Sequence, residues 1–236
     1  MNRTPTISKA ILLDRPNRFL GRVIYNGKVI DVFIPNPGRM HELMTPGNEV
    51  FIRESKGIHR KTDHTMIGLD HNDVTISIDS NLPNRFIKRL LDSYKLPFFD
   101  SYHTVISEPR TLGGRFDFKL IGDKESSFIE VKSCTLVENN RAIFPDAPTV
   151  RGSRHIRNLV TALNEAQVNR VAVIFVIQRP DARVFSPNDK TDPTFGDALR
   201  YGYANGVEIY PLLTRVVNWD LEFIGQVPVE LDYFMD

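Results

Sequence analysis

The run VAVIFVI at 171–177 has no polar residue at any position. A strand with one face in water alternates apolar and polar side chains, so an unbroken apolar run reads as a strand covered on both faces. That requires an α/β arrangement, with helical sequence to supply the covering layers. NRFIKRLLDSY (84–94) places Phe86, Ile87, Leu90 and Leu91 on a 3.6-residue period, and Pro83 suits the first turn. Around 152–168, Ile156, Leu159, Val160 and Leu163 form a second apolar stripe. A third helix is bounded by Asp192-Pro193 and Asn205-Gly206, and 207–217 reads as a further strand broken at Pro211.

Before residue 82 the pattern is different. Asn26-Gly27 between two β-rich runs (19–34) predicts a hairpin, because both turn positions accept positive φ. Pro35-Asn36-Pro37-Gly38 is a loop, Arg39–Leu43 fits one helical turn, and strands are expected at 48–54, 64–70 and 73–79. Five short strands punctuated by Gly and Pro favour a small closed barrel of the oligonucleotide-binding (OB-fold) type, since closure removes exposed edges. A length of 236 residues, at roughly 150 per domain, admits this division. The expectation is two domains: an OB-fold-like barrel at 1–81 and an α/β domain with a central mixed sheet at 82–236.

Lys and Arg number 30 against 29 Asp and Glu, so a nucleic-acid site has to be a local basic patch rather than a global field. The single cysteine, Cys134, excludes an intrachain disulfide and any multi-cysteine metal centre. No apolar stretch is long enough for a signal peptide or a membrane helix, which makes the cytoplasm the expected compartment, with the nucleoid as the place for a DNA-binding chain. Phosphate-loop, dinucleotide-binding and serine-hydrolase motifs are missing from the sequence.

The segment most suggestive of chemistry is GRFDFKLIGDKESSFIEVKS (114–133). Phe116, Phe118 and Leu120 alternate with Arg115, Asp117 and Lys119, which puts Asp117 on the polar face of a strand at 115–121. After a turn at Gly122-Asp123-Lys124, Glu130 and Lys132 share one face of the next strand. Pairing as a hairpin would set Asp117 beside Glu130 and Lys132. Two close carboxylates repel, and a hard divalent cation such as Mg²⁺ or Mn²⁺ relieves that cost. A lysine beside them can orient water or stabilise charge on a phosphoryl oxygen. Glu108, at the end of the preceding strand, is a further candidate acid. The plain alternative is an exposed hairpin with charges of alternating sign.

Arg151, Arg154 and Arg157 recur every third residue on the helix face opposite its apolar stripe, with His155 one turn beyond Arg151. They form a candidate phosphate-contact row, or an ordinary solvated face. In the barrel, Arg15, Arg18, Arg22, Arg39, Arg53, Arg60 and Lys61 lie among Phe19, Tyr25, Phe33 and Phe51, the mixture with which small barrels hold nucleic-acid strands.

The order and density of several segments resemble the sugar fermentation stimulation protein A family. They are NRFLGRV (17–23), FIPNPGRM (33–40), Arg60-Lys61-Thr62, GRFDF (114–118), IEVKS (129–133), 135–159, 175–195 and GVEIYPL (206–212). The resemblance implies an oligonucleotide-binding-like barrel followed by a domain like the PD-(D/E)xK nucleases, and an association with DNA. It implies that Asp117 and Glu130 are metal ligands, that Glu130 with Lys132 forms the E-x-K element, and that Glu108 is the accessory acid. Arg115, in the GRFDF segment, joins Arg18, Arg22, Arg39, Arg60, Lys61, Arg151, Arg154, His155 and Arg157 as a candidate nucleic-acid contact. The family's Asn-Thr pair before the inter-domain helix is Asp79-Ser80 here, and Pro37 replaces its usual Thr or Ser. The expected function is DNA binding with Mg²⁺- or Mn²⁺-dependent nuclease chemistry. Two alternatives stand: a non-catalytic DNA-binding regulator of sugar metabolism, and an RNA-directed nuclease. Self-association is left open, and no membrane partner is expected.

Overall fold

The computed structural model describes residues 6–55, 57, 60–111 and 114–232. Its first part contains β1 (Ile7–Asn17), β2 (Leu20–Tyr25), β3 (Lys28–Phe33), β4 (Glu49–Glu54), β5 (His64–His71) and β6 (Val74–Ser77). Pairing runs β3-β2-β1-β4-β5, and a parallel contact between Phe33 and Thr65 closes β3 onto β5. The result is a five-stranded barrel of the oligonucleotide-binding type, filled by Leu12, Val23, Val32, Ile34, Val50, Ile52, Met66 and Leu69. The expected number of barrel strands is right but one member is not. β1 falls where no strand was expected, and the expected strand at 73–79 is β6, which pairs with β5 outside the closure. β1 hides because register shifts between Leu12 and Asp14 and between Asp14 and Asn17 break its period of two.

The second part follows with α1 (Leu82–Asp92), β7 (Tyr102–Ser107), the short pair β8 (Arg110–Thr111) and β9 (Gly114–Arg115), then β10 (Phe118–Gly122) and β11 (Ser126–Cys134). β12 (Val137–Glu138), β13 (Arg141–Phe144), α2 (Val150–Asn164), β14 (Arg170–Ile177) and β15 (Val184–Pro187) come next. α3 (Pro193–Ala204), β16 (Val207–Val217) and β17 (Asp220–Gln226) complete the chain. The main sheet has the order β17-β16-β14-β11-β10-β7, with β11, β14 and β16 parallel at its centre. β14 is the strand buried on both faces. Val171, Val173, Phe175 and Ile177 pack with α2 and α3, while Ala172, Ile174 and Val176 pack with α1. The helices lie where the periodicity puts them, with Thr149 and Asp192 accepting capping bonds at the starts of α2 and α3.

The expected break at Pro211 does not occur, since β16 runs through it. Pro211 pairs with Phe175 on one side, and its carbonyl accepts from Val227 on the other, just past the end of β17. A residue's N and carbonyl point to the same side of a strand, so the donor that proline lacks falls where the ladder with β17 has ended.

The β16–β17 turn, Asn218-Trp219, has positive φ at both positions and places Trp219 against Phe51 of β4, ring centroids 4.6 Å apart. Gly68 of β5 makes room for it. A Cβ there would collide with the Ile76 carbonyl and stand 2.6 Å from the Trp219 ring. Gly68→Ala is therefore expected to destabilise the chain by about 1–3 kcal/mol as an overpacking change. The readout is a lowered urea midpoint at unchanged slope, and a midpoint equal to wild type would contradict this packing.

Candidate functional site

β11 carries Glu130 into the interior, where the residue is 3% exposed. Ile129 and Val131 face α1, so Glu130 and Lys132 project toward α2, as expected from the alternation. Lys132 Nζ lies 2.5 Å from Glu130 Oε1. His155, also buried, brings Nδ1 onto the same oxygen. Arg151 Nε donates to His155 Nε2 at 3.2 Å. An acceptor role for Nε2 assigns a neutral ring whose Nδ1–H donates to Glu130. Burial alone would raise the Glu130 carboxyl, but Lys132 and His155 outweigh it and hold it below the usual glutamate range.

Asp117 stands directly before β10, at a bend rather than within a regular strand. The expected strand at 115–121 is corrected here. Phe116 joins the core under α2 while Phe118 joins the core under α1, and two residues of one regular strand spaced by two would share a face. The register Phe118↔Ile129 still brings Asp117 alongside Glu130. Its carboxylate accepts from Val131 N at 2.7 Å and from Asn84 Nδ2 of α1 at 2.6 Å. Burial first, and Glu130 second, push its carboxyl upward, against the pull of those donors and Lys132. Asn84 carries no sequence signal, since an asparagine in a first helical turn reads as a solvated residue.

Glu108 is not brought to this cluster by its side chain. Its backbone N donates to the Asp117 carbonyl, but its carboxylate pairs with Arg115 at the surface, 2.7 Å away. His155 was expected on the exposed row and instead faces inward to Glu130. Arg22 is paired with Asp14. No group of three or more His, Cys, Asp or Glu side chains placed to hold a metal occurs among the described residues. The donor set nonetheless suits a hard cation in part. Among the described residues Glu130's hydrogen bonds all fall on Oε1, and a positive charge between Glu130 and Asp117 would offset their mutual repulsion, which after burial is the main cause of the raised Asp117 carboxyl.

The remaining basic residues line a groove made of three adjoining cavities. The first, about 630 Å³, is bounded by Asn17, Phe19, Leu20, Phe33, Arg60 and Lys61. The second, about 700 Å³, shares Asn17 and continues past Arg18, Arg39 and His41 to Pro148. The third, about 440 Å³, shares Pro148 and reaches Arg154 and Arg157 on α2. Asp192 is the one carboxylate in its lining, and both its oxygens accept backbone N–H groups, from Thr149 and Phe195. Arg15 also borders the groove but is committed to the carbonyls of Arg18, Asn36 and Arg39. Arg18, Arg39, Lys61 and Arg154 make no ion pair among the described residues, and Arg157 lies over the Tyr201 ring.

An oligonucleotide-binding-type barrel joined to a helix-flanked mixed sheet, with a basic groove crossing from one to the other, defines a two-domain class of protein. The chain belongs to the sugar fermentation stimulation protein family. Residues 81–219 match the model described as the sugar fermentation stimulation protein RE domain, and 13–78 match that of the family's N-terminal OB domain. A sugar fermentation stimulation protein homolog from Desulforamulus reducens is 42% identical, covering 96% of this chain and 94% of its own. The homolog from Moorella thermoacetica is 40% identical, covering 94% and 96%. The structure of Pyrococcus furiosus SfsA in complex with Ca²⁺ superposes with a TM-score of 0.87 at 29% identity, covering 95% of this chain and 96% of that one. No helix among the described residues is long and apolar enough to cross a membrane.

The two carboxylates should respond oppositely to neutralisation. Glu130 titrates below its unfolded value, so the stability it contributes is present at neutral pH and is lost as pH falls through that depressed value. Glu130→Gln leaves Lys132, whose side chain is only 12% exposed, without its hydrogen-bonded counter-charge and is expected to cost about 3–5 kcal/mol at pH 7. Asp117 titrates above its unfolded value, so wild type loses stability as pH rises from the ordinary aspartate range through the raised one. Asp117→Asn removes that loss, and a flip of the Asn84 amide preserves both hydrogen bonds, so it should stay within about 1 kcal/mol of wild type. Urea melts of both variants across pH test the contrast. Equal destabilisation would refute it.

Proposed function

We propose that this protein binds DNA through its phosphate backbone, along the groove that crosses from the barrel to α2. The observation that supports this most directly is the continuity of the three cavities through Asn17 and Pro148, with cations along the whole path. Whole-chain charge is +1, so the field that attracts a polyanion is local to this path. The non-catalytic reading, a DNA-binding regulator acting in sugar metabolism, is favoured by the state of Glu130. Lys132 and His155 already satisfy it, so the cluster is self-neutralised and acts as a polar strut between β11 and α2.

A second reading has its own observation. Asp117 remains a half-buried carboxylate whose charge is disfavoured by burial and by Glu130, and in the Asp117, Glu130 and Lys132 pattern by which this domain resembles the PD-(D/E)xK nucleases it matches their metal-binding aspartate. The P. furiosus relative was solved in complex with Ca²⁺, a hard divalent cation of the kind this reading requires. Asp117 and Glu130 would hold Mg²⁺ or Mn²⁺, and the bound ion would supply Lewis-acid polarisation of a phosphodiester. Of the chain's own groups, Asn84 and Val131 N orient Asp117, and Lys132 keeps a positive charge against Glu130.

Binding and cleavage of labelled DNA and RNA, in chelator and then with Mg²⁺ or Mn²⁺, separate the readings. Binding in chelator without cleavage in metal supports the regulator. Metal-dependent cleavage abolished by Asp117→Asn supports the nuclease. For binding itself, Arg39→Gln with Arg154→Gln should weaken affinity for every sequence and lower the salt slope by about 0.7–0.9 per lost contact. An unchanged affinity and slope would remove the groove from the account.

A further inference from the structure

We propose that the cavity on the barrel takes an unpaired nucleobase, so that the groove is built for single-stranded rather than duplex DNA. This rests on the DNA-binding reading above and names the form of DNA. Phe19 occupies the turn between β1 and β2 and is 49% exposed, so its ring is open to a ligand. It lies nearly parallel to Phe33, with 16° between the planes and 6.3 Å between centroids. Register fixes the pair, because Leu20 is bonded opposite Phe33 and Ile34 N donates to the Phe19 carbonyl.

Across the cavity the loop between β4 and β5 contributes Arg60 and Lys61. The Arg60 guanidinium stands 5.6 Å over the Phe33 ring and is anchored by donation to Thr65 Oγ1 at 2.6 Å. Two rings, a planar cation fixed above one of them and a second cation beside it form a stacking platform with a phosphate contact attached. In barrels of this type, the face of the second and third strands and the loops joining strands one to two and four to five are where oligonucleotides lie. Phe19, Phe33, Arg60 and Lys61 all belong to those elements.

The occupant follows from chemistry and from continuity. The cavity asks for a flat aromatic group joined to an anion. The groove leading away from it through Asn17 asks for further anions at intervals, past Arg18 and Arg39 and on to Arg154. A nucleic-acid strand meets both demands. In a duplex the base faces are already stacked on each other, so only an unpaired base can enter.

The test uses the full chain in chelator with three probes: a thymidine oligomer, the same backbone with abasic sugars, and a duplex of equal length. Wild type should bind the thymidine oligomer most tightly. Phe19→Ala should lose about tenfold on it, with no change in salt slope, and should match wild type on the abasic strand. Phe19→Trp should keep the affinity, and its indole emission should be quenched on binding beyond any change that wild type shows from Trp219. The proposal is overturned if wild type binds the thymidine oligomer but Phe19→Ala binds it equally well, or if duplex and abasic strands bind as tightly. Failure of wild type to bind any of the three would instead overturn the DNA-binding reading and this one with it. Phe19 is half exposed, and the abasic probe reports on the unaltered protein, so the result does not hinge on how the variant folds.

Discussion

A carboxylate placed among the central strands of an apolar sheet has to be matched by charge, and the arrangement around α2 follows from how Glu130 is matched. Lys132, two residues along the same strand, supplies the cation, and His155 of α2 supplies the second donor. Leaving Glu130 without them would strand a buried charge at several kcal/mol, so α2 docks in the one rotation that brings His155 inward. Ile156, Leu159 and Val160 then fall on the core beside it. With that rotation fixed, Arg151, Arg154 and Arg157 turn outward as exposed residues. The buried contact and the basic row are two faces of one constraint.

What was legible in the sequence follows from what has a period. β14 announced itself through seven apolar residues, and the structure divides them between two cores by strict alternation. The helices were legible because their stripes and caps are local. β1 was not, since its register shifts erase the period. Asp117 was recognised as a candidate residue, but its local conformation was not. The bend exists only because Phe116 and Phe118 are claimed by different cores, and that is a tertiary fact. Asn84 was invisible for the same reason, since its role depends on where α1 lies over the sheet.

The groove spans both sheets, so its width depends on the junction between them. Ser80 donates twice to the Pro35 carbonyl, from its N at 3.1 Å and its Oγ at 2.7 Å. Asp79 accepts from Arg85 of α1 and from Asn81 N. Besides Pro37, these are the positions where the chain departs from the pattern it otherwise resembles, and both serve the junction. Gly38 lies so close to the Asp146 carboxylate that any side chain there would collide with it, and Met40 N donates to the same oxygen at 3.3 Å. Burial is the main influence on the half-buried Asp146 and raises its carboxyl. The Phe51–Trp219 contact is a second fastening elsewhere on the barrel.

Rigidity at the junction bears on how the groove can recognise a strand. Were the barrel free to move against the sheet, Arg39 and Arg154 would act as independent point charges and would present no set spacing to the strand proposed for the groove. The Met40–Asp146 and Ser80–Pro35 bonds oppose that freedom, and within the barrel the three carbonyl contacts of Arg15 tie the end of β1 to the loop carrying Arg39. On the far side, Arg151 is tied through His155 to Glu130, so the first turn of α2 is anchored from within. Arg18, Arg39 and Arg154, which make no ion pair among the described residues, thus project from anchored backbone at both ends of the path. Preorganisation of this kind lowers the ordering cost of binding, and affinity then comes from few contacts rather than a large positive charge. That is how a chain with a net charge of +1 can present a surface for a polyanion.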